Sequence, residues 1–380
     1  MRLLILALLA SNCFGAYAKR MLHEPATSQV VSGPHTDFVI WIDTTSNDLR
    51  VTGSGGFVTS SSGYDITVST DATCATKLDF ERRFYDSTTG RFAAFARVSS
   101  LAQTSDIYLC FADSGVTTEQ GNPTGVWASD VGGVWHKDDN AASTAVEDST
   151  SNNSDGTAAA NTDTKDVTGK IMGALTYNGS SDVVTVPNNS TLNASTGLTI
   201  TAWVKRLRTG AADRIVFKNS TSGNHYVYGM QFSATNKLEI LMNDDDTGVY
   251  YCAGASSVTS TTVYQHVSVT YTAGTSTAVI YLNGASDGSG TPGVNNCGGA
   301  PLWSGNITSS TGDLAMGRLR YESVSYYGNL EIDEMRVYNT AKSGGWIQTQ
   351  YNAGVPSSFW TVSATEDVPA SGRRRLMVIQ

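Results

Sequence analysis

The chain has 380 residues, of which 40% are hydrophobic and 16% charged, with a formal net charge of −9. That much apolar material excludes a globally disordered chain, whose mark is few large apolar residues with high net charge. An acidic balance with only 25 Lys and Arg argues against nucleic acid as a partner, since phosphate neutralisation needs a dense basic patch.

The first residues set the compartment. Met1 and Arg2 lead into the apolar run Leu3 to Ala10, too short to cross a bilayer as a helix, and Ala16-Tyr17-Ala18 gives the small-x-small pattern of a processing site. Residues 1–18 therefore read as a cleaved export signal. A lipoprotein reading through Cys13 is disfavoured by Asn12, which stands where a small residue is wanted. No other stretch is long and apolar enough for a membrane span. Behind the signal remain Cys74, Cys110, Cys252 and Cys297, an even number that favours disulfides in an exported chain. Three pairings are open. Cys74 with Cys110 and Cys252 with Cys297 is the one that keeps each bridge within its own half, and no CxxC spacing points to zinc.

Along the chain the apolar pattern alternates with period two. Phe38 to Ile42, Ile66 to Val68, Phe92 to Val98 and Asp106 to Phe111 are short, β-branched or aromatic, and bounded by Gly, Asn, Asp and Ser, so they read as strands. Residues 137–170 are rich in Ala, Ser, Thr, Asn and Asp and read as a linker or long surface loop. A second strand set follows, including Ala174 to Tyr177, Val183 to Val186, Leu198 to Val204, Arg214 to Phe217, Lys237 to Met242, His266 to Tyr271, Ala278 to Leu282 and Leu330 to Tyr338. Turn chemistry such as Asn283-Gly284 separates them, which indicates antiparallel sandwiches. The nearest approach to a helix is Ser343 to Asn352, expected to form one or two turns. The expected fold class is all-β, with two β-sandwich domains at residues 19–130 and 131–362 and a C-terminal tail at 363–380 that carries Arg373, Arg374 and Arg375.

Ala174 to Asp182, Val184 to Pro187, Leu198 to Lys205, Val279 to Gly284 and Glu331 to Asn339 resemble the laminin-G-like, concanavalin A-like jelly-roll family. Asp148 to Thr157 looks like the first strand and loop of that family, which would start the second domain near Val131. Tyr17 to Arg20, Thr36 to Ile40, Gly63 to Ile66, Leu78 to Glu81, Tyr85-Asp86, Ile107 to Leu109 and Val134 to His136 resemble the bacterial module called domain of unknown function 2341, which implies a β-sandwich without an assigned activity.

Four constellations bear on chemistry. Glu331-Ile332-Asp333-Glu334 resembles the laminarinase-like signature, whose three carboxylates at i, i+2 and i+4 share one strand face so that the outer pair can serve as nucleophile and acid. Here the i+4 position is Met335, so the second catalytic carboxylate is missing and no enzyme is expected. A structural calcium would need six to eight oxygens; Asp333 with Asp148, Asn152 or Asp155 is the expected set, pinning the first strand of the domain to the last. Asp244-Asp245-Asp246 lacks the remaining positions of an EF-hand loop and reads as a solvated turn. For a glycan, aromatic faces next to amide and carboxylate groups are the recognising chemistry, and Tyr250, Tyr251, Trp303, Tyr326 and Tyr327 stand in loop or strand-edge settings, whereas Trp203 sits in an apolar strand and reads as core. Adjacent tyrosines in a strand point to opposite faces, so one of each pair can meet a ligand.

His23, His35, His136, His225 and His266 form no HExxH, no GxSxG is present, and Gly53-Ser54-Gly55-Gly56 reads as a turn. The N-x-S/T triplets at Asn152, Asn178, Asn188, Asn189, Asn193, Asn219 and Asn306 follow from a Ser, Thr and Asn-rich composition. The expected function is an exported, non-catalytic protein whose partner is a glycan or an extracellular protein surface, reached through the loops of the second domain. A structural role as a surface-layer or virion-associated adhesin component is the alternative, and a glycoside hydrolase the weaker one.

Overall fold

The computed structural model describes residues 17–369 apart from 222–224, 244–248, 295, 301, 304 and 323. Residues 1–16 of the expected signal, Asp244-Asp245-Asp246 and Arg373 to Arg375 lie outside the described residues. Short alternating segments give antiparallel strands, four sheets of which stack as two sandwiches while a fifth, two-stranded sheet lies outside them.

The first sheet is five-stranded, built on Lys19–Pro25 between Ile107–Phe111 and Trp360–Val362. The second is three-stranded, with Arg91–Leu101 between His35–Thr45 and Phe80–Asp86. Both faces of the second sheet are buried: Ile40 and Ile42 are at 0% exposure, and so nearly are Trp41 and Phe95 on the opposite face. Period two alone cannot produce that; it requires a layer on each side.

The third and fourth sheets, eight strands each, form the second sandwich. Its core is made by Leu198, Ile200, Ala202 and Val204 from the third sheet against Val184, Val216, Met230, Ile240 and Leu314 from the fourth. Trp203, on the other side of its strand, belongs instead to the first sandwich's core with Tyr281 and Tyr338, so the third sheet is covered on both faces. Trp203 is thus core, as its apolar strand implied.

Three differences from the sequence expectations have physical causes. Residues 137–170 are no linker: Ala145–Val146 and Gly156–Ala158 extend the fourth sheet, and Asp166–Thr168 edges the third. Asp148 supplies there the order that apolar residues do not, accepting from Val134 N (2.9 Å), Thr150 N (3.1 Å), Thr150 Oγ1 (2.7 Å) and Ser154 N (2.8 Å). The limit at residue 362 does not follow the sheets, because Trp360–Val362 and Glu366–Asp367 both pair with Lys19–Pro25 in the first sheet. The helix runs over Gly344–Ala353, longer than one or two turns; Ser343 caps it by accepting from Trp346 N (3.2 Å), and Trp346, Ile347 and Ala353 bury one side between the sandwiches.

The disulfides are Cys74–Cys110 and Cys252–Cys297, one in each half, closing separations of 36 and 45 residues.

Candidate functional site

The second sandwich has two outward faces, and their fates differ. On the third sheet the strand Asn329–Tyr338 carries the acidic run. Strict alternation would set Glu331, Asp333 and Met335 on one face. The structure breaks that period: Glu334 takes a φ of 53°, and its pairing with Gly197–Arg206 shifts register between Thr201 and Trp203. This is a β-bulge, which inserts one residue and turns the next over. Met335 consequently enters the sandwich core with Leu330, Ile332 and Val337. Glu334 joins Glu331, Asp333 and Arg336 on the opposite face, so a third carboxylate does accompany the pair, at i+3.

That face is sealed. Glu331, Asp333 and Glu334 are 6%, 0% and 3% exposed. Glu331 takes the Lys205 ammonium and the Tyr264 hydroxyl, each at 2.6 Å. Asp333 Oδ2 accepts from Lys170 N (2.6 Å) and Ile171 N (2.7 Å). Burial and then the neighbouring Glu334 push the Asp333 carboxyl well above the ordinary range. Glu334 holds His136 Nδ1 at 2.7 Å and Arg336 Nη2 at 2.7 Å, while His136 Nε2 stands 3.3 Å from Glu81 of the first sandwich. Trp127 Nε1 (3.2 Å), Ser149 Oγ (3.0 Å) and Arg83 Nη1 (2.6 Å) complete the donors to Glu81, and Phe95 stacks on the His136 ring at 4.8 Å. Burial opposes charge on His136, but Glu334 and Glu81 outweigh it and raise the imidazole to about 9; burial likewise opposes charge on Glu81, and His136 and Arg83 bring it down to about 2. The cavity of about 20 Å³ left among Trp41, Phe95, Trp203, His266, Glu334 and Arg336 accommodates a water molecule and no sugar ring.

The outward face of the fourth sheet is built differently. Phe217, Tyr226 and Leu241 project from it, with Val249 and Tyr251 packed alongside. Arg214, Gln231 and Glu239 stand in register across three adjacent strands. Arg214 Nη1 donates to Gln231 Oε1, and Gln231 Nε2 donates to Glu239 Oε2 at 2.8 Å. Across part of this face lies the hairpin Arg318–Tyr321 with Val324–Tyr327, resting Leu319 and Tyr321 on the aromatic cluster. The Tyr321 ring is 5.0 Å from His225 and 6.4 Å from Tyr226. Val324 (50%) and Tyr326 (42%) are open to solvent, and the Arg214 guanidinium lies 5.5 Å from the Tyr326 ring centre.

Of the expected ligand-binding aromatics, the structure brings Tyr251 and Tyr326 to this face. Tyr250 and Trp303 are corrected: they are 9% and 4% exposed, meet edge-on at 5.5 Å and belong to the sandwich core, because Tyr250 alternates with Tyr251 and the strand's other side faces inward. Tyr327 is half-buried, and its carbonyl accepts from Arg208 Nη2 at 3.1 Å. Phe217, Tyr226, Arg214, Gln231 and Glu239 were missed by sequence reasoning, and so was the His136 cluster. The signal for the first group was present in Arg214 to Phe217, where a charged and an aromatic residue flank the apolar pair.

The expected calcium set is not assembled. All four bonds to the Asp148 carboxylate come from its own loop and from Val134, Asp155 Oδ1 accepts from Asp148 N at 2.8 Å, and Asn152 Nδ2 donates to Val131 O and Gly132 O. Asp333 serves the 170–171 turn instead. Among the described residues no group of three His, Cys, Asp or Glu could hold a metal ion, and no helix is long and apolar enough to cross a membrane.

No curated protein matches the chain. Similar solved structures include the binding domain of Paraclostridial Mosquitocidal Protein 1, 14% identical at a TM-score of 0.43, covering 59% of this chain and 52% of that one. Domain 4 of AbnA, a GH43 extracellular arabinanase from Geobacillus stearothermophilus, in complex with arabinotriose, is 18% identical at 0.43, covering 59% and 98%. The receptor binding domain of botulinum neurotoxin C/D mosaic serotype is 12% identical at 0.42, covering 58% and 51%. The chain spans about half the length of the two toxin binding domains. Residues 178–348 match the family model described as the concanavalin A-like lectin/glucanases superfamily, and the second sandwich is a concanavalin A-like domain.

Proposed function

We propose that the protein is an exported, non-catalytic binding protein that takes a glycan on the outward face of the fourth sheet. The observation that carries this reading is the asymmetry of the second sandwich: one face lies under the first sandwich, while at the other the exposed Tyr326 and the half-buried Tyr251 and Arg214 border Gln231 and Glu239, which are 6% and 8% exposed. Flat aromatic surface with hydrogen-bonding groups at its margin suits a sugar, whose ring has an apolar face and a polar rim. The carboxylates that resemble a hydrolase signature are buried, Glu331 and Glu334 in ion pairs and Asp333 on the backbone N–H groups of Lys170 and Ile171, and the cavity beside Glu334 has no room for a sugar.

The first sandwich, whose sequence resembles the domain of unknown function 2341 type, serves in this reading as the cover of the third sheet. Two disulfides fit an extracellular setting. The test is retention on a panel of immobilised polysaccharides by the full chain and by Tyr251→Ala and Tyr326→Ala. Binding of at least one polysaccharide, weakened by both substitutions and without release of reducing ends, is the expected result. No retention by any polysaccharide would favour the spacer role instead, and new reducing ends would refute the non-catalytic reading.

A further inference from the structure

We propose that Arg214 reads an anionic group, so that the glycan taken by the fourth-sheet face is an acidic one bearing a uronate carboxylate or a sulfate ester. This rests on the reading of that face as the binding surface.

Among the described residues, Arg214 is a charge without a carboxylate at ion-pair distance. Most other guanidinium groups in the second sandwich lie at ion-pair distance from a carboxylate: Arg206 and Arg208 on Asp213 at 2.9 and 2.7 Å, Arg336 on Glu334 at 2.7 Å. Arg214 has no such partner among the described residues. Among the described residues its side chain donates to the neutral Gln231 amide, and its buried Nε meets no acceptor. Asp213, the adjacent residue, is fully buried under Arg206 and Arg208. Glu239 is the main charge supporting the Arg214 cation, but it reaches it only through the Gln231 amide, which accepts from Arg214 and donates to Glu239 at 2.8 Å, and no ion pair joins the two among the described residues.

A second group points the same way. The Tyr226 hydroxyl, on the neighbouring strand, is also buried without a partner, in a residue only 1% exposed. Tyr226 pairs with Asn219 while Arg214 pairs with Gln231, so the phenol stands farther along the same face and is a second unpaired donor there rather than a direct neighbour of the guanidinium. Burial lowers the Arg214 pKa, with Glu239 and Tyr226 only partly opposing it, which is the mark of a cation whose desolvation is uncompensated. With Nη1 on Gln231 and Nε buried, Nη2 is the guanidinium nitrogen left to meet a carboxylate or sulfate, and the exposed Tyr326 ring 5.5 Å away offers the sugar a stacking surface. Because the chain carries a net charge of −9, this recognition must be short-range and favour one placed acid group over a densely charged polymer.

The test compares, for the full chain, oligosaccharides with a single terminal uronate against their carboxyl-reduced forms, and singly sulfated galacto-oligosaccharides against their desulfated forms. The two arms separate the carboxylate from the sulfate source. The expected result is about tenfold tighter binding of the acidic member of at least one pair, with the ratio falling toward one in Arg214→Gln and retained in part in Arg214→Lys. Thermal melting of each variant shows that the fold is kept. Equal affinity for acidic and neutral members, with binding still lost in Tyr326→Ala, would overturn this inference and leave the face as the binding surface. An acidic preference that survives in Arg214→Gln would overturn it too. Failure of every oligosaccharide to bind would overturn both.

Discussion

The two sheets of the second sandwich obey the same alternation, yet their outward faces have opposite characters. The third sheet's outward face carries Glu331, Asp333, Glu334 and Arg336, residues normally solvated, and buries them by pairing. The fourth sheet's outward face carries Phe217, Tyr226 and Leu241, residues normally buried, and covers them with only a hairpin whose Tyr326 and Val324 stay in water. The charged face is the internal joint, and the aromatic face lies beneath the hairpin, whose Val324 and Tyr326 meet solvent. Polarity alone therefore misassigns both; what decides is whether each charged group has a partner and what is stacked above the sheet.

The largest way to break the joint is to remove one member of the buried ion cluster. Glu334→Ala leaves His136 and Arg336 as buried cations without their shared carboxylate and should destabilise the chain by about 3–5 kcal/mol, measured by urea unfolding. A change below ~1 kcal/mol would mean that the joint does not depend on this cluster. Next in size are the bridges: replacing Cys74 and Cys110 together by Ser, or Cys252 and Cys297 together, should each cost about 2–4 kcal/mol, since each bridge constrains the unfolded chain.

Smaller still is the effect of pH on the same joint. His136 titrates higher in the folded chain than its ordinary 6.5, so its stabilising contribution is complete below that value and is lost as pH rises through about 9. Glu81 titrates lower than its ordinary 4.5, so its contribution is complete above that value and is lost as pH falls toward about 2. Melting temperature should therefore decline on the alkaline side between 6.5 and 9, and His136→Gln should flatten that limb. An alkaline limb unchanged in His136→Gln would contradict the assignment. The smallest stability effect is expected on the other face, where Tyr326→Ala should change unfolding free energy by no more than about 0.5 kcal/mol while removing glycan retention.

Much of the fold was legible in the sequence, because short β-branched and aromatic runs bounded by turn residues announce strands: Phe38 to Ile42 and Leu198 to Val204 fall inside the observed strands His35–Thr45 and Gly197–Arg206. The disulfide pairing followed from keeping each bridge within its own half. What was illegible was set by long-range contacts. The bulge at Glu334 reverses the outward set of its strand without altering composition, so Met335 was placed on the wrong face. Residues 137–170 look like a linker because few apolar residues anchor them: Val146 and Ala158 reach the core, strand pairing holds three short segments, and hydrogen bonds to Asp148 order the loop up to Ser154. Among the aromatic residues singled out, Tyr326 and Tyr251 lie on the outward side of the fourth sheet and Tyr250 and Trp303 on the inward side, a difference the sequence hides because an aromatic residue near a loop looks alike whether it turns inward or outward.

The most direct measurement is hydrogen–deuterium exchange of the full chain with and without a retained oligosaccharide. Protection confined to the strands Tyr226–Phe232 and Leu238–Asn243 and to the hairpin 318–327 is the result required by recognition on the fourth sheet. Protection centred on Asn329–Tyr338 and the residues around His136, with the hairpin unchanged, would contradict it.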